Sequence, residues 1–208
     1  MGGTFDPIHN GHLRVARAAL ESGLDRVDFV PARRPPHKTR EDITDPYQRF
    51  AMAALATVGE SRLGVSAVEV AREGVSFTID TVRQLARAGV DLFLVMGSDS
   101  LVEIDTWREC RELLDLAGLR VYPRRPFPMR PEGQFLARLP DWVRAKWKKG
   151  AIVELEGPAE DVSSSDIRRL LKEGRLASDQ VPPAVDEYIT KHHLYTVPAE
   201  GGTEARAE

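Results

Sequence analysis

Apolar positions follow two rhythms along this chain. Short apolar runs fall at Val27–Pro31, Leu63–Val70, Asp91–Met96, Leu119–Tyr122 and Ala151–Leu155, and read as strands. Between them, apolar residues recur at spacings of three and four. Leu13, Ala16, Ala19 and Leu20 mark one such segment; Ala51, Ala54, Leu55 and Val58 a second; Ile79, Val82, Leu85 and Ala86 a third. Val185 and Ile189, with Tyr188, mark a last one near the end. Strand and helix in alternation predict an α/β domain with a doubly wound parallel sheet. Such sheets take ligands beyond the carboxyl ends of their strands, near a switch in strand order.

The punctuation sharpens this picture. Pro123–Pro131 is proline-rich and predicts an irregular connection. From Val197 to Glu208 the chain is mostly Gly, Ala and Glu with little to bury, and predicts disorder. That leaves one domain over 1–196. The start is unusual, because only Met1 precedes Gly2-Gly3 where an apolar strand normally feeds the first glycine turn. A truncated first strand is therefore expected, through a missing central strand or, the favoured reading, an upstream start. Unpaired backbone groups beside a missing strand cost about 1–3 kcal/mol each when buried.

Composition narrows the class. Of 208 residues, 42% are hydrophobic and 29% charged, an ordinary globular balance large enough for one core. No apolar run approaches the roughly 20 residues of a membrane helix, and no secretory signal opens the chain. A single cysteine, Cys110, excludes an internal disulfide framework and a multi-cysteine metal site. The cytoplasm is the expected compartment. A net charge of −3 argues against coating nucleic acid. The charge is uneven, however. Arg33, Arg34, Lys38 and Arg40 crowd residues 31–40, and residues 124–149 carry a local +6. These are either solvated surface or a site for a small polyanion.

Two constellations carry chemistry. The first is Gly2-Gly3-Thr4-Phe5-Asp6-Pro7-Ile8-His9-Asn10-Gly11-His12. Glycines allow close backbone approach, and His9 and His12 lie three apart where a helix begins, so both rings share a face. A helix N-terminus offers N–H groups and a positive dipole end to phosphate, and two imidazoles there can donate to phosphate oxygens. A metal site is the competing reading of His-x-x-His, but no third ligand follows at suitable spacing. The second constellation is Val162-Ser163-Ser164-Ser165-Asp166-Ile167-Arg168, whose serines suit a helix cap and whose Arg168 suits an anion.

Together these segments resemble the signatures of nucleotidyltransferases that share a His-x-Gly-His motif, which have a Rossmann-like doubly wound fold. Further segments narrow the resemblance to bacterial nicotinate mononucleotide adenylyltransferases, across the chain to about Tyr195. They are Pro35-Pro36-His37-Lys38, Phe77-Thr78-Ile79-Asp80-Thr81, Gly97-Ser98-Asp99, Trp107, Arg124-Arg125 and Val185 to Tyr195. The resemblance implies that ATP meets Gly3, Thr4, Phe5, His9, Gly11, His12, Gly97, Asp99, Ser164, Ser165 and Arg168. It implies that His9, His12, Lys38 and Arg168 are catalytic. It also implies that Lys38, Thr78, Trp107 and Arg124 hold nicotinate mononucleotide, Trp107 by stacking on the pyridine ring. Spacing does not decide whether Arg124 or Arg125 points inward. Phe77 stands where Tyr is commoner, and Ser165 where many members have Thr.

The implied reaction is adenylyl transfer from ATP to nicotinate mononucleotide, giving nicotinate adenine dinucleotide and pyrophosphate. Mg²⁺ is expected as a cofactor held mainly by the ATP phosphates. The expected partners are these nucleotides, with neither nucleic acid nor membrane. Nicotinamide mononucleotide or phosphopantetheine as acceptor, and a non-catalytic nucleotide-binding module, are the rival readings.

Overall fold

The structure, a computed structural model, describes residues 1–36, 43–87, 89–130, 132–158 and 162–196. His37, Lys38 and the tail from Val197 lie outside the described residues. Six strands and nine α-helices are found among those described: β1 Gly2–Gly3, α1 Asn10–Glu21, β2 Val27–Pro31, α2 Pro46–Ala56, β3 Leu63–Val65, α3 Thr78–Leu85, β4 Phe93–Gly97, α4 Ser98–Val102, α5 Cys110–Leu116, β5 Gly118–Tyr122, α6 Glu132–Leu136, α7 Asp141–Lys148, β6 Ile152–Glu154, α8 Ser164–Lys172 and α9 Pro183–Lys191.

Every strand pairing is parallel. β1, β2 and β3 form one ladder, and β4, β5 and β6 another. β1 has only two residues, pairing Gly2 with Val30 and Gly3 with Pro31. It nevertheless lies against β4. The strands thus run 3-2-1-4-5-6 across the molecule, the doubly wound order whose switch falls between β1 and β4. The turn after β1 carries Thr4–His9, and Ser98 and Asp99 open α4 directly after β4.

Strands buried on both faces explain the continuous apolar runs. In β4, Val95 enters a core with Phe5, Leu13, Phe29 and Ile167, while Leu94 and Met96 enter a second core with Ile79, Leu119 and Val143. In β5, Tyr122 joins the first core and Leu119 and Val121 the second. This period-2 alternation makes three layers, each fully buried Leu or Val contributing about 1.5–3 kcal/mol.

Two expectations are corrected here. β3 stops at Val65 instead of reaching Val70; it is an edge strand, and after the Ser66 N–H bonds to the Phe29 carbonyl (2.8 Å) the chain leaves the ladder. The basic stretch 124–149 is not one polyanion site. Arg130 pairs with Glu154 (3.1 Å), Lys146 with Asp115 and Arg144 with Asp141, while Arg138 lies over the Phe127 ring. Pro123–Pro131 holds one antiparallel bridge, Arg124 to Phe127.

Candidate active site

The turn after β1 is built around Phe5. A Cβ on Gly3 would sit 2.8 Å from the Phe5 ring, so only glycine fits at that point. Phe5 itself has φ +51, a conformation costing a non-glycine residue of order 1–3 kcal/mol. Its ring is buried, edge-on to His12 (4.9 Å between centroids) and to Phe29 (5.4 Å). Phe5 therefore meets the core with its side chain and can offer a nucleotide only its backbone.

His9 caps α1 and His12 lies in its first turn, with Gly11 buried between them. The two rings stack at 3.6 Å. The His9 N–H donates to His12 Nδ1 (3.2 Å), which leaves the His12 proton on Nε2, free to be offered outward. Burial, then the positive charge of Arg124, holds the His9 pKa down at about 3. Burial, the His9 ring and Arg124 hold His12 well below its ordinary value. Held below their ordinary range, both imidazoles are neutral at pH 7, and each has one N–H it can donate. The helix amides contribute less than the spacing suggests, because the Asn10 N–H is taken by the Gln180 carbonyl (2.8 Å) and the His12 N–H by that of His9 (2.9 Å).

The serine motif docks onto this turn. Ser163 caps α8, accepting from the Asp166 N–H (3.1 Å). Ser164 Oγ donates to the Pro7 carbonyl (2.9 Å) and Arg168 Nη1 to the Asp6 carbonyl (2.7 Å). Arg168 Nη2 reaches the exposed Ser165 Oγ (3.4 Å). Segments more than 150 residues apart thus converge, separations |i−j| of 157 and 162 being bridged by two hydrogen bonds.

Across the switch point, Ser98 is fully buried. Its Oγ accepts the Arg124 N–H (2.9 Å) and donates to the Phe127 carbonyl (2.6 Å), fixing the Arg124 bridge to the end of β4. Arg124 Nη1 lies 3.7 Å from Asp99 Oδ2, while Asp99 Oδ1 is buried with no hydrogen-bond partner among the described residues. A Cβ on Gly97 would strike both Asp99 and Arg124 Cδ. Arg124 is thus the member of the Arg124-Arg125 pair whose charge bears on the histidines.

Thr78 and Trp107 belong to a separate neighbourhood. Thr78 is the first residue of α3, with Phe77 at the cap position before it. Trp107 is half-buried against the second core, as is Phe77. The Arg108 guanidinium over the Phe77 ring (4.9 Å) joins the two segments. In the chain, Thr78 follows β3 and Trp107 follows β4. A groove of about 550 Å³ lined by Ser66, Arg72 and Leu85, among others, contains none of these residues.

Three residues absent from the expected site, Arg49, Asp6 and Tyr195, hold it together. Arg49, fully buried in α2, donates to the carbonyls of Thr4 (2.6 Å), Ala32 (2.7 Å) and Thr44 (2.8 Å). Asp6, also buried, accepts from Tyr195 Oη (2.6 Å) and the Thr44 N–H (3.3 Å). The signal for Arg49 is helical: it shares the buried stripe of Met52, Ala53 and Ala56, where a lone guanidinium needs partners.

The arrangement offers neutral imidazoles, hydroxyls and two guanidinium groups at a strand-order switch, a donor set for phosphate oxygens. A cytidylyltransferase-like family model matches residues 1–170, which contain both motifs. A "Probable nicotinate-nucleotide adenylyltransferase" from Frankia alni is 42% identical over 198 residues, 94% of this chain and 98% of the relative. One of the same description from Thermoanaerobacter sp. is 38% identical over 206 residues, 97% of this chain and 95% of the relative. The solved structure of a Plasmodium falciparum nicotinic acid mononucleotide adenylyltransferase complexed with NaAD matches with TM-score 0.73. It covers 93% of this chain and 94% of that one at 20% identity, a likeness of fold.

Proposed function

This chain belongs to the cytidylyltransferase-like family, among its nicotinate-nucleotide adenylyltransferases, and from that premise we propose how its residues perform the reaction. It transfers the adenylyl group of ATP to nicotinate mononucleotide, giving nicotinate adenine dinucleotide and pyrophosphate. A 5′-phosphate oxygen of the mononucleotide attacks the α-phosphorus of ATP. The bond from that phosphorus to the oxygen bridging the β-phosphate breaks in line, and its electron pair leaves with pyrophosphate.

The attacking phosphate is already anionic at neutral pH, so no protein nucleophile is needed. Catalysis is positioning plus stabilisation of charge as it moves onto the leaving group. His12 Nε2–H and the His9 ring are assigned to the α-phosphate, and Ser165 and Arg168 to the departing pyrophosphate. Arg124 adds positive charge beside the histidines, and Lys38, outside the described residues, is assigned to the phosphates. Thr78 and Trp107 are assigned to the nicotinate nucleotide, the indole as a stacking surface.

Among the described residues, no three His, Cys, Asp or Glu side chains gather as a metal cage. The donors present suit phosphate oxygens that bring their own Mg²⁺. When bound, that ion withdraws charge from the triphosphate.

The observation carrying this reading is the docking of Ser164 and Arg168 on the Asp6-Pro7 turn. The test is a panel of acceptors with Mg-ATP, scored by pyrophosphate release and by mass of the dinucleotide. Nicotinate mononucleotide is expected to give the highest kcat/KM. A preference for nicotinamide mononucleotide or phosphopantetheine overturns the acceptor assignment.

A further inference from the structure

The segment after α9 folds back onto the phosphate-facing turn, and the mechanism above leaves that contact without a role. After α9, His193 (φ +50) and Tyr195 (φ +62) both adopt left-handed backbone, turning the chain inward. Leu194 and Tyr195 then pack against the first core. The Tyr195 hydroxyl donates to Asp6 Oδ1 at 2.6 Å, linking residues 189 apart in sequence.

Asp6 is 1% exposed and is held at both ends. Its carboxylate accepts from Tyr195 and from the Thr44 N–H, and its carbonyl accepts from Arg168. It sits directly after Phe5, whose φ of +51 is unfavourable unless outside bonds impose it, and three residues before His9. Losing the hydroxyl would leave one oxygen of a buried carboxylate without that donor.

We propose that Tyr195 is a positioning residue for adenylyl transfer: its hydroxyl orients Asp6, and through Asp6 sets the turn that presents His9, His12 and Arg168 to the triphosphate. The proposal rests on the function assigned above. It differs in what it requires of ATP alone, since the contact lies on the phosphate side of the site and touches neither Thr78 nor Trp107.

The test compares the full-length wild type with Tyr195→Phe, which keeps the ring and removes the donor. A hydrogen bond to a charged group is worth enough that its loss changes an equilibrium by about 10- to 100-fold. Tyr195→Phe is expected to bind a non-hydrolysable Mg-ATP analogue at least about tenfold more weakly by calorimetry, and to lose kcat/KM for ATP by a similar factor. KM for nicotinate mononucleotide should change by less than about threefold. Circular dichroism and the melting midpoint verify folding. A folded Tyr195→Phe with analogue affinity and kcat/KM for ATP within about twofold of wild type overturns the proposal.

Should Tyr195→Phe not fold, Asp6→Asn serves in its place, with the same analogue measurement and the same threshold. Where both fold, the double variant should lose no more than the worse single variant; losses that multiply overturn the link through Asp6. A wild type that binds the ATP analogue but does not turn over nicotinate mononucleotide defeats the acceptor assignment while the calorimetric comparison still decides the role of Tyr195.

Discussion

The two ends proposed for the site, one for the phosphates and one for the acceptor nucleotide, are built by different forces. At the phosphate end, polar groups far apart in sequence interlock: Arg49, Arg168, Ser164 and Tyr195 donate to oxygens of a turn only a few residues long. At the acceptor end, Trp107 and Phe77 lean on an apolar core, and a guanidinium over a ring links them. Geometry at the first end depends on partly buried hydrogen bonds, several of them to buried groups and costly to leave unmade. At the second it depends on area, which tolerates substitution more gradually.

The largest test of this contrast is Arg49→Met. It strips donors from four backbone carbonyls, including that of Arg33 at 3.3 Å, and is expected to cost about 3–5 kcal/mol of stability in urea unfolding. A loss below about 1 kcal/mol would mean that the turn stands without its clip. Next comes His12→Ala, expected to lower kcat on the order of 10²–10³-fold with the melting transition retained. Near-wild-type turnover in that variant removes His12 from the mechanism.

A pH dependence of stability should follow from the same buried rings. The folded-state pKa of His9 is about 3 against an ordinary 6.5, so below pH 6.5 the unfolded chain binds more protons than the folded one. Stability from this source is complete above about pH 6.5 and falls as pH drops toward 3, with His12 acting in the same direction. The slope approaches about 1.4 kcal/mol per pH unit for each histidine. Urea midpoints between pH 7 and 4.5 measure it, and His9→Asn should flatten the curve.

At the acceptor end the effects should be smaller and confined to one substrate. Trp107→Ala is expected to raise KM for nicotinate mononucleotide about tenfold and to leave KM for ATP within twofold. Arg108→Ala, which loses an exposed cation–π contact worth about 0.5–1 kcal/mol, should raise it about two- to fivefold. Equal changes in both KM values would erase the division between the two ends.

Much of this was legible in the sequence, for local reasons. β2 runs over Val27–Pro31 as its apolar run predicts, and α3 and α9 follow their three-and-four spacing. The histidine motif is readable because glycine, proline and histidine act where they stand. What was not legible depends on partners distant in the chain. The short helices α4, α5, α6 and α7 are not predicted by the apolar pattern. α7 contains Arg144 and Lys146 within a segment whose charge obscures Val143, which is fully buried. Arg124 is singled out from Arg125 by its bond to the buried Ser98 hydroxyl, its approach to Asp99 and its charge on the histidines, none of which spacing reveals. In the sequence Arg49 is one charge among many; only the carbonyls gathered around it in the fold single it out.

The amide of His9 has one further effect through the ring it occupies. With one nitrogen of His12 engaged by its own helix, the imidazole cannot exchange tautomers as a reaction proceeds. Folding thus fixes, before any ligand arrives, which nitrogen of His12 carries its proton.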